Sequence, residues 1–215
     1  MGYQVMLDIV GSAITGGLLL ITLLRFQAEN MENKQQFRDE ILAQRNLVSV
    51  ATVLEEDFRR MGYCAVRDSM TVPIVVAASA DSIMFKTDFS PDSTGLIEGD
   101  GRVDYLTYKL GGFITGTSNP RDRMLYRRVN FGPYGGSSVG VTQFILKYMK
   151  YNGDTLARPV ASDKLKEIAS VEVTIRIENP EPYGSVTGKV DSLNALQFNW
   201  KQMRFDIKSF GKGAI

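Results

Sequence analysis

The N-terminal stretch MGYQVMLDIVGSAITGGLLLITLLRF, residues 1–26, decides the fold class of this chain. Between Ile9 and Leu24 only hydroxyl side chains interrupt the apolar residues, with Asp8 before this tract and Arg25 after it. About 20 residues of this kind suit a helix that crosses a hydrocarbon layer. The stretch lacks the basic segment and the small-residue cleavage site of a secretory signal. A core helix of a soluble domain is the alternative, but such a helix normally carries polar residues in every turn. We therefore predict a membrane-spanning segment.

The composition of the chain limits the kinds of function that it can have. The 215 residues carry a net charge of +1, one cysteine (Cys64) and no histidine. Without a run of Lys or Arg to neutralise phosphates, nucleic acid is not a predicted partner. A single thiol cannot form an internal disulfide, and the lack of histidine removes the commonest general base and transition-metal ligand. We predict no catalytic residues, no cofactor and no metal, so the protein is not expected to be an enzyme.

The apolar tract continues into a longer helix. No proline or glycine occurs between Arg25 and Gly62, and Gly62 suits the left-handed residue that ends a helix. We predict a helix from about Val5 to about Met61. Its second half should lie against a globular body through one apolar stripe, spaced at three, four and seven residues: Phe37, Ile41, Val48, Ala51, Leu54, Phe58 and Met61.

After Gly62 the sequence changes to short apolar segments separated by turn residues. The predicted strands are residues 73–78, 82–88, 102–110, 123–129, 141–151, 170–178 and 196–210. Val171, Val173, Ile175 and Ile177 alternate with polar residues, as in an antiparallel sheet with one solvated face. The predicted fold class is α+β: an apolar helix over residues 1–26, its amphipathic continuation over 27–62, and a β-rich globular domain over 63–215 that packs on the helix.

Several motifs together resemble the PilW-type minor pilins and the related larger minor pseudopilins of type II secretion. The resemblance covers most of residues 54–180 and is carried by LEEDFRRMGY (54–63), ADSIMFKTDFSPDSTG (80–95), VDYLTYKL (103–110), RMLYRRVN (123–130), FILKYMKYNGDTL (144–156) and IASVEVTIRI (168–177). It implies a structural subunit of a type IV pilus-like or pseudopilus-like filament. Before assembly, such subunits are held in the bacterial inner membrane with their globular domain in the periplasm. They then join an extracellular filament of identical or related pilins, in which their N-terminal helices pack in the core.

Candidate assembly residues lie in the apolar tract. Three pairs of small residues are spaced four apart, which lets helices approach closely in lipid: Gly11 and Thr15, Ser12 and Gly16, and Ala13 and Gly17. These residue types are also simply common in membrane helices. Asp8 is expected to pair with a free amino terminus or a neighbouring subunit, since an acid at the edge of such a tract is costly; the alternative is a carboxylate that reaches headgroup water. The resemblance further implies Asp8 as an assembly carboxylate, and processing between Gly2 and Tyr3.

Other motifs are interpreted as structural. The acids Asp88, Asp92, Glu98, Asp100 and Asp104 fit no EF-hand spacing and are predicted to be solvated turn residues rather than calcium ligands. Cys64 is expected to be a small buried side chain. Tyr148, Tyr151, Trp200 and Phe205 are expected in the core. The alternative to a filament subunit is a bitopic membrane protein whose β-rich domain binds a ligand or partner without polymerising.

Overall fold

A computed structural model describes residues 2–89, 99–117, 119–178 and 198–207. It begins with one α-helix, α1, Gly2–Arg59, and continues into antiparallel strands, so the predicted α+β class is confirmed. By their internal contacts the residues form two units, 1–41 and 42–215. The first unit is the N-terminal part of α1 alone. The second, here called the body, contains the rest of α1 and all of the strands.

Gly62 ends the helical segment in the predicted way. A turn follows Arg59, and Gly62 has φ +78°, a left-handed conformation that glycine adopts without a side-chain clash. Its amide donates to the carbonyl oxygen of Lys86 at 2.9 Å. The end of the helix is thereby tied to the second strand of the body.

The buried face of α1 differs from the predicted stripe. Ala51, Leu54, Phe58 and Met61 are buried as expected, but Val48 is 64% exposed. The face continues instead through Leu47, which packs against the core. Successive helical residues are about 100° apart, so Val48 turns away from the body when Leu47 faces it.

The prediction also placed Phe37 and Ile41 on that stripe. Both belong to the first unit; Phe37 is 65% exposed and Ile41 is half-buried. The buried face begins only at Ala43, which is 2% exposed.

The body holds two antiparallel sheets. Five strands follow chain order in the first sheet: β1 Val75–Ala78, β2 Ser82–Thr87, β3 Asp104–Phe113, β4 Arg123–Val129 and β5 Gly135–Ser137. Three strands form the second sheet, also in chain order: β6 Val141–Met149, β7 Ser170–Glu178 and β8 Phe198–Asp206. Short 3-10 helices occupy Arg67–Ser69 and Ser162–Glu167. All predicted strands form; residues 196–197 and 208–210 of the last lie outside the described ranges.

Strand β5 was not predicted. Its sequence, Gly135–Ser137, lies in a stretch rich in glycine and serine that is typical of turns. It pairs with β4, with Gly135 opposite Arg127 and Ser137 opposite Leu125. The edge of β4 supplies the hydrogen-bond partners, and that pairing with the preceding strand overrides the low strand propensity of glycine.

Phe58 of α1 joins the two sheets in the core. Its ring centroid lies 5.1 Å from that of Phe85 in β2, 5.6 Å from Tyr108 in β3 and 5.3 Å from Phe205 in β8. The predicted buried face of β7 is confirmed, since its four aliphatic residues from Val171 to Ile177 are fully buried.

Of the aromatic residues expected in the core, Tyr148 and Phe205 are buried. Tyr151 is 98% exposed, because it lies in the turn after β6 and faces solvent. The side chain of Trp200 lies outside the described part of the structure.

Candidate assembly site

The apolar tract of the first unit is exposed along its length. An 18-residue window of α1 has a mean hydropathy of 2.0, and none of it is buried. By length and composition this part of α1 can cross a membrane. Its large side chains are at least half exposed, as Leu19 at 65% and Ile21 at 50% illustrate. A surface of this kind marks a site that lipid or another protein covers.

Asp8, Gly11 and Thr15 lie on one face of this helix. Steps of three and four residues return to the same side of an α-helix. Asp8 is exposed, and among the described residues it has no ion-pair partner. This face therefore combines an unpaired carboxylate with small residues.

The three small-residue pairs do not share one face. Ala13 lies two positions, or about 200°, after Gly11, so Ala13 and Gly17 lie on the side opposite Gly11 and Thr15, and Ser12 and Gly16 lie between. A Cβ added at Gly11, Gly16 or Gly17 would meet no atom within 4 Å. A single helix partner can therefore use one of these faces, and close packing on more than one requires several partners.

The hydroxyl groups of the tract bond to their own helix. Ser12 Oγ donates to the carbonyl of Ile9 at 2.9 Å, and Thr15 Oγ1 donates to the carbonyl of Gly11 at 3.0 Å. Such back-bonding satisfies the hydroxyl donors without water. These residues are therefore compatible with a lipid or protein environment.

Gly2 and Tyr3 begin the helix. Tyr3 is 77% exposed, and a Cβ at Gly2 would meet nothing within 4 Å. The structure thus places the predicted processing position in the first turn of α1.

In the body, a buried polar cluster fixes α1 to the first sheet. The Arg127 guanidinium donates to both carboxylate oxygens of Asp57, from Nε to Oδ2 at 2.7 Å and from Nη2 to Oδ1 at 3.1 Å. The Tyr108 hydroxyl also donates to the Asp57 carboxylate. Burial and the neighbouring Asp57 charge raise the pKa of Tyr108 above its usual range. Sequence patterns missed this cluster, because its members are distant in the chain.

The acids predicted to be solvated are partly structural. Asp88 is fully buried and accepts backbone N–H groups from Ala65, Asp100 and Gly101 at 3.1, 3.0 and 2.9 Å. The prediction is therefore wrong for Asp88, which is held by backbone donors instead of water. Gly99 packs so closely that an added Cβ would lie 2.3 Å from the Asp88 carboxyl carbon.

Asp104 departs from the prediction in the same way. It is 6% exposed and accepts hydrogen bonds from the Phe89 amide and the Asn130 side chain. Asp100 is exposed as predicted, and Asp92 and Glu98 lie outside the described residues. No group of three potential metal ligands occurs within the described ranges.

Cys64 is buried as expected, at 5% exposure. Its Sγ lies 3.6 Å from Oδ2 of Asp88. Burial raises the pKa of this thiol, which disfavours the reactive thiolate.

The body also carries an apolar groove of about 540 Å³ between α1 and the edge of the first sheet. Val50 and Val53 of α1, Leu125 and Val129 of β4, and Gly135 of β5 contribute to its lining. It exists because the inward-facing positions of β5 are Gly135 and Ser137, too small to fill the space beneath the helix.

The chain is similar to a type IV-like pilin from Thermus thermophilus, with 13% sequence identity and a TM-score of 0.49, over 76% of this chain and 94% of that chain. No protein-family model matches the chain. No curated protein matches it either. A likeness of this size concerns the fold and carries no functional conclusion.

Proposed function

We propose that this protein is a structural subunit of a type IV pilus-like or pseudopilus-like filament. The observation that carries the proposal is the division of α1. Its C-terminal part is built into the core of the body through Leu54 and Phe58, whereas its apolar N-terminal tract is uncovered. In a filament outside the membrane, packing that tract against the tracts of identical or related subunits would keep its apolar surface out of water.

The finer assignment rests on the motif resemblance. The succession of motifs behind the apolar helix favours a PilW-type minor pilin or a larger minor pseudopilin. On this proposal the subunit is held in the inner membrane before assembly, with its body in the periplasm, and is then moved into an extracellular filament. The protein acts by assembly rather than by catalysis.

We assign Asp8 to subunit contact. An unpaired carboxylate at the end of an apolar tract is stabilised by a cation, and the N-terminal amine of a neighbouring subunit is such a group. Gly11 and Thr15, on the same face, would let that neighbour approach closely.

The direct test is to shear surface appendages from cells that produce the full chain and to label the pelleted filaments with an antibody against the body. We expect label along or at the ends of filaments. A body that is accessible on intact cells but absent from every sheared filament would contradict the proposal.

The groove between α1 and β5 favours a second candidate function. A bitopic membrane protein could use it to bind an apolar segment of a partner without polymerising. Gly135→Leu, which fills the groove, separates the two functions: it abolishes partner capture by the bitopic protein, whereas filament assembly through the apolar tract remains.

A further inference from the structure

The outer face of the five-stranded sheet carries connected aromatic and cationic side chains. We propose that this surface, the outer-face strip, binds single-stranded nucleic acid. The strip consists of Tyr105, Tyr126, Arg128, Phe131 and Tyr134. This inference does not depend on the proposed filament function.

The aromatic rings of the strip form two contacting pairs. The Tyr126 and Tyr134 rings are 5.8 Å apart, edge to face, and the Tyr105 and Phe131 rings are 5.7 Å apart. Arg128 connects the two pairs, with its guanidinium carbon 4.4 Å from the Tyr134 ring centroid and 5.9 Å from that of Phe131. Phe131 is 74% exposed and Tyr134 is 45% exposed, so a base can reach both rings.

Glycine residues beside Tyr126 create a shallow depression next to the strip. A Cβ at Gly111 would lie 2.6 Å from the Tyr126 ring, and one at Gly136 would lie 3.1 Å from it. Because both neighbours lack side chains, the ring lies close to the backbone on either side. The depression, about 390 Å³, is bordered by Lys109, Arg123, Tyr126 and Tyr134 among others.

The cations around the strip have no carboxylate partner among the described residues. Lys109, Arg123 and Arg128 take part in none of the ion pairs found there. Arg123 instead donates to the carbonyl of Gly111 and lies over the Phe113 ring. The buried Nε of Arg128 has no hydrogen-bond acceptor in the described part of the chain.

The same sheet holds a single acid within its strands. This is Asp104 of β3, which is buried and occupied by the Phe89 amide and Asn130. The strands of this sheet thus bring cations and no acid to the described outer face, although the chain as a whole carries a charge of only +1. Our prediction of no nucleic-acid partner used the composition of the whole chain. Composition averages over all surfaces, so it does not show that cations are concentrated on this one.

Exposed aromatic rings next to cations without a carboxylate partner in the described ranges indicate which ligand the strip binds. Phosphates neutralise Lys and Arg, and unpaired bases stack on aromatic rings with little sequence preference. A duplex offers phosphates but keeps its bases inside the stack, and an anionic polysaccharide offers charge without planar bases. Single-stranded nucleic acid uses both features of the strip.

The experiment measures the binding of a fluorescein-labelled oligothymidylate of about 20 nucleotides, longer than one such site occupies, to the full chain in nonionic detergent. Fluorescence anisotropy is recorded over a range of salt concentrations. Tyr134→Ser and Arg128→Gln are compared with matched controls outside the strip. These are Tyr151→Ser in the turn after β6, at a residue 98% exposed, and Arg204→Gln on β8, at a side chain 56% exposed.

We expect Tyr134→Ser to weaken binding at least about fivefold, the loss of one stacked base. Arg128→Gln should reduce the slope of log K against log salt by about 0.7, the value for one single-strand phosphate contact. Both controls should bind like the unchanged protein. If Tyr134→Ser changes the far-ultraviolet circular dichroism spectrum, which reports the backbone fold, Phe131→Ser replaces it.

Three results would overturn the proposal. These are no binding, equal losses in the control variants, or equally tight binding of a duplex or of dextran sulfate that is insensitive to Tyr134→Ser. The last result would assign the face to polyanions in general.

Discussion

Arg127 of β4 and Asp57 of α1 form a buried two-point ion pair, with nitrogen–oxygen distances of 2.7 and 3.1 Å. Asp57 is 4% exposed, so its charge depends on Arg127 and on the Tyr108 hydroxyl for stabilisation. The pair links the last turns of the long helix to the first sheet.

Asp57→Ala should destabilise the body by about 2–3 kcal/mol. Removing one member of a buried pair leaves the other charge uncompensated, although Arg127 retains some solvent contact, with its side chain 30% exposed. Urea unfolding of the full chain in nonionic detergent measures the loss. Glu55→Ala, on the same helix and paired with Arg59 and Lys201 at the surface, should cost clearly less, because exposed ion pairs contribute little to stability. Equal losses from the two variants would contradict a special role for the buried pair.

Deleting residues 3–25 should leave a soluble, folded monomer that cannot enter filaments. The buried core begins at Ala43, so the deletion removes no core residue and only uncovered apolar surface. Size-exclusion chromatography without detergent and circular dichroism test solubility and folding. Recovery of the truncated chain in sheared filaments would exclude the apolar tract as the assembly element.

Asp8→Ala should reduce filament yield without changing the unfolding of the body. Asp8 lies in the first unit and contributes to no buried cluster. Glu29→Ala is the matched control, since Glu29 is an exposed acid further along the same helix. Filament yield is measured by quantitative immunoblotting of the sheared fraction. Normal yield from Asp8→Ala, or an equal defect in Glu29→Ala, would count against an assembly role for this carboxylate.

The cross-strand pair between Lys147 and Glu172 should make stability pH-dependent in acid. The two residues are opposite in register on β6 and β7, with Nζ and Oε1 2.9 Å apart, and the hydrogen bond from Lys147 lowers the pKa of Glu172. A lowered carboxyl pKa adds stability above the unfolded-state value, and this is lost as pH falls through the folded-state value.

Glu172→Gln should therefore lose about 0.5 kcal/mol at pH 7, as is typical of a partly exposed pair, and nothing at a pH below the folded-state pKa. Urea unfolding at both pH values provides the measurement. A loss of the same size at both would assign the effect to packing.

Adjacent glycines on β5 should respond oppositely to alanine. A Cβ at Gly135 makes only ordinary contact, 3.7 Å from the carbonyl oxygen of Arg127, whereas one at Gly136 lies 2.9 Å from Met124 Cγ. Gly135→Ala should stabilise the body by about 0.5 kcal/mol through the unfolded state, and Gly136→Ala should destabilise it by about 1 kcal/mol through crowding. Thermal unfolding of both variants measures whether each substitution raises or lowers the stability of the body. A change of the same sign in both would show that the space around the added Cβ does not decide the effect on stability.

Local sequence patterns correctly predicted the features that depend on neighbouring residues in the chain. The helix end at Gly62 follows from the conformational freedom of glycine, and the buried face of β7 follows from its alternation. The pattern did not distinguish Val48 from Leu47, because both are apolar and only the position of the sheets decides which one faces inward.

The buried acids that sequence reasoning missed depend on partners that are distant in the chain. Asp88 appears to be a turn acid until the amides of Ala65 and Gly101 are brought to it by the fold. In the sequence Asp57 is simply a charged residue next to the apolar Phe58. Its partner Arg127 lies on β4, so the local pattern does not predict the ion pair. For the candidate assembly residues, the sequence supplied the spacing, and the helix adds that Ala13 and Gly17 oppose the face of Asp8.

The position of Phe58 has a mechanical consequence. Its ring contacts Phe85, Tyr108 and Phe205, which belong to both sheets, and the Asp57 ion pair is its neighbour in the chain. Tension applied along the last turns of α1 is therefore shared between two sheets at one point. Pulling these last turns away from the sheets breaks both the aromatic contacts and the ion pair, so the two sheets jointly resist traction on the helix.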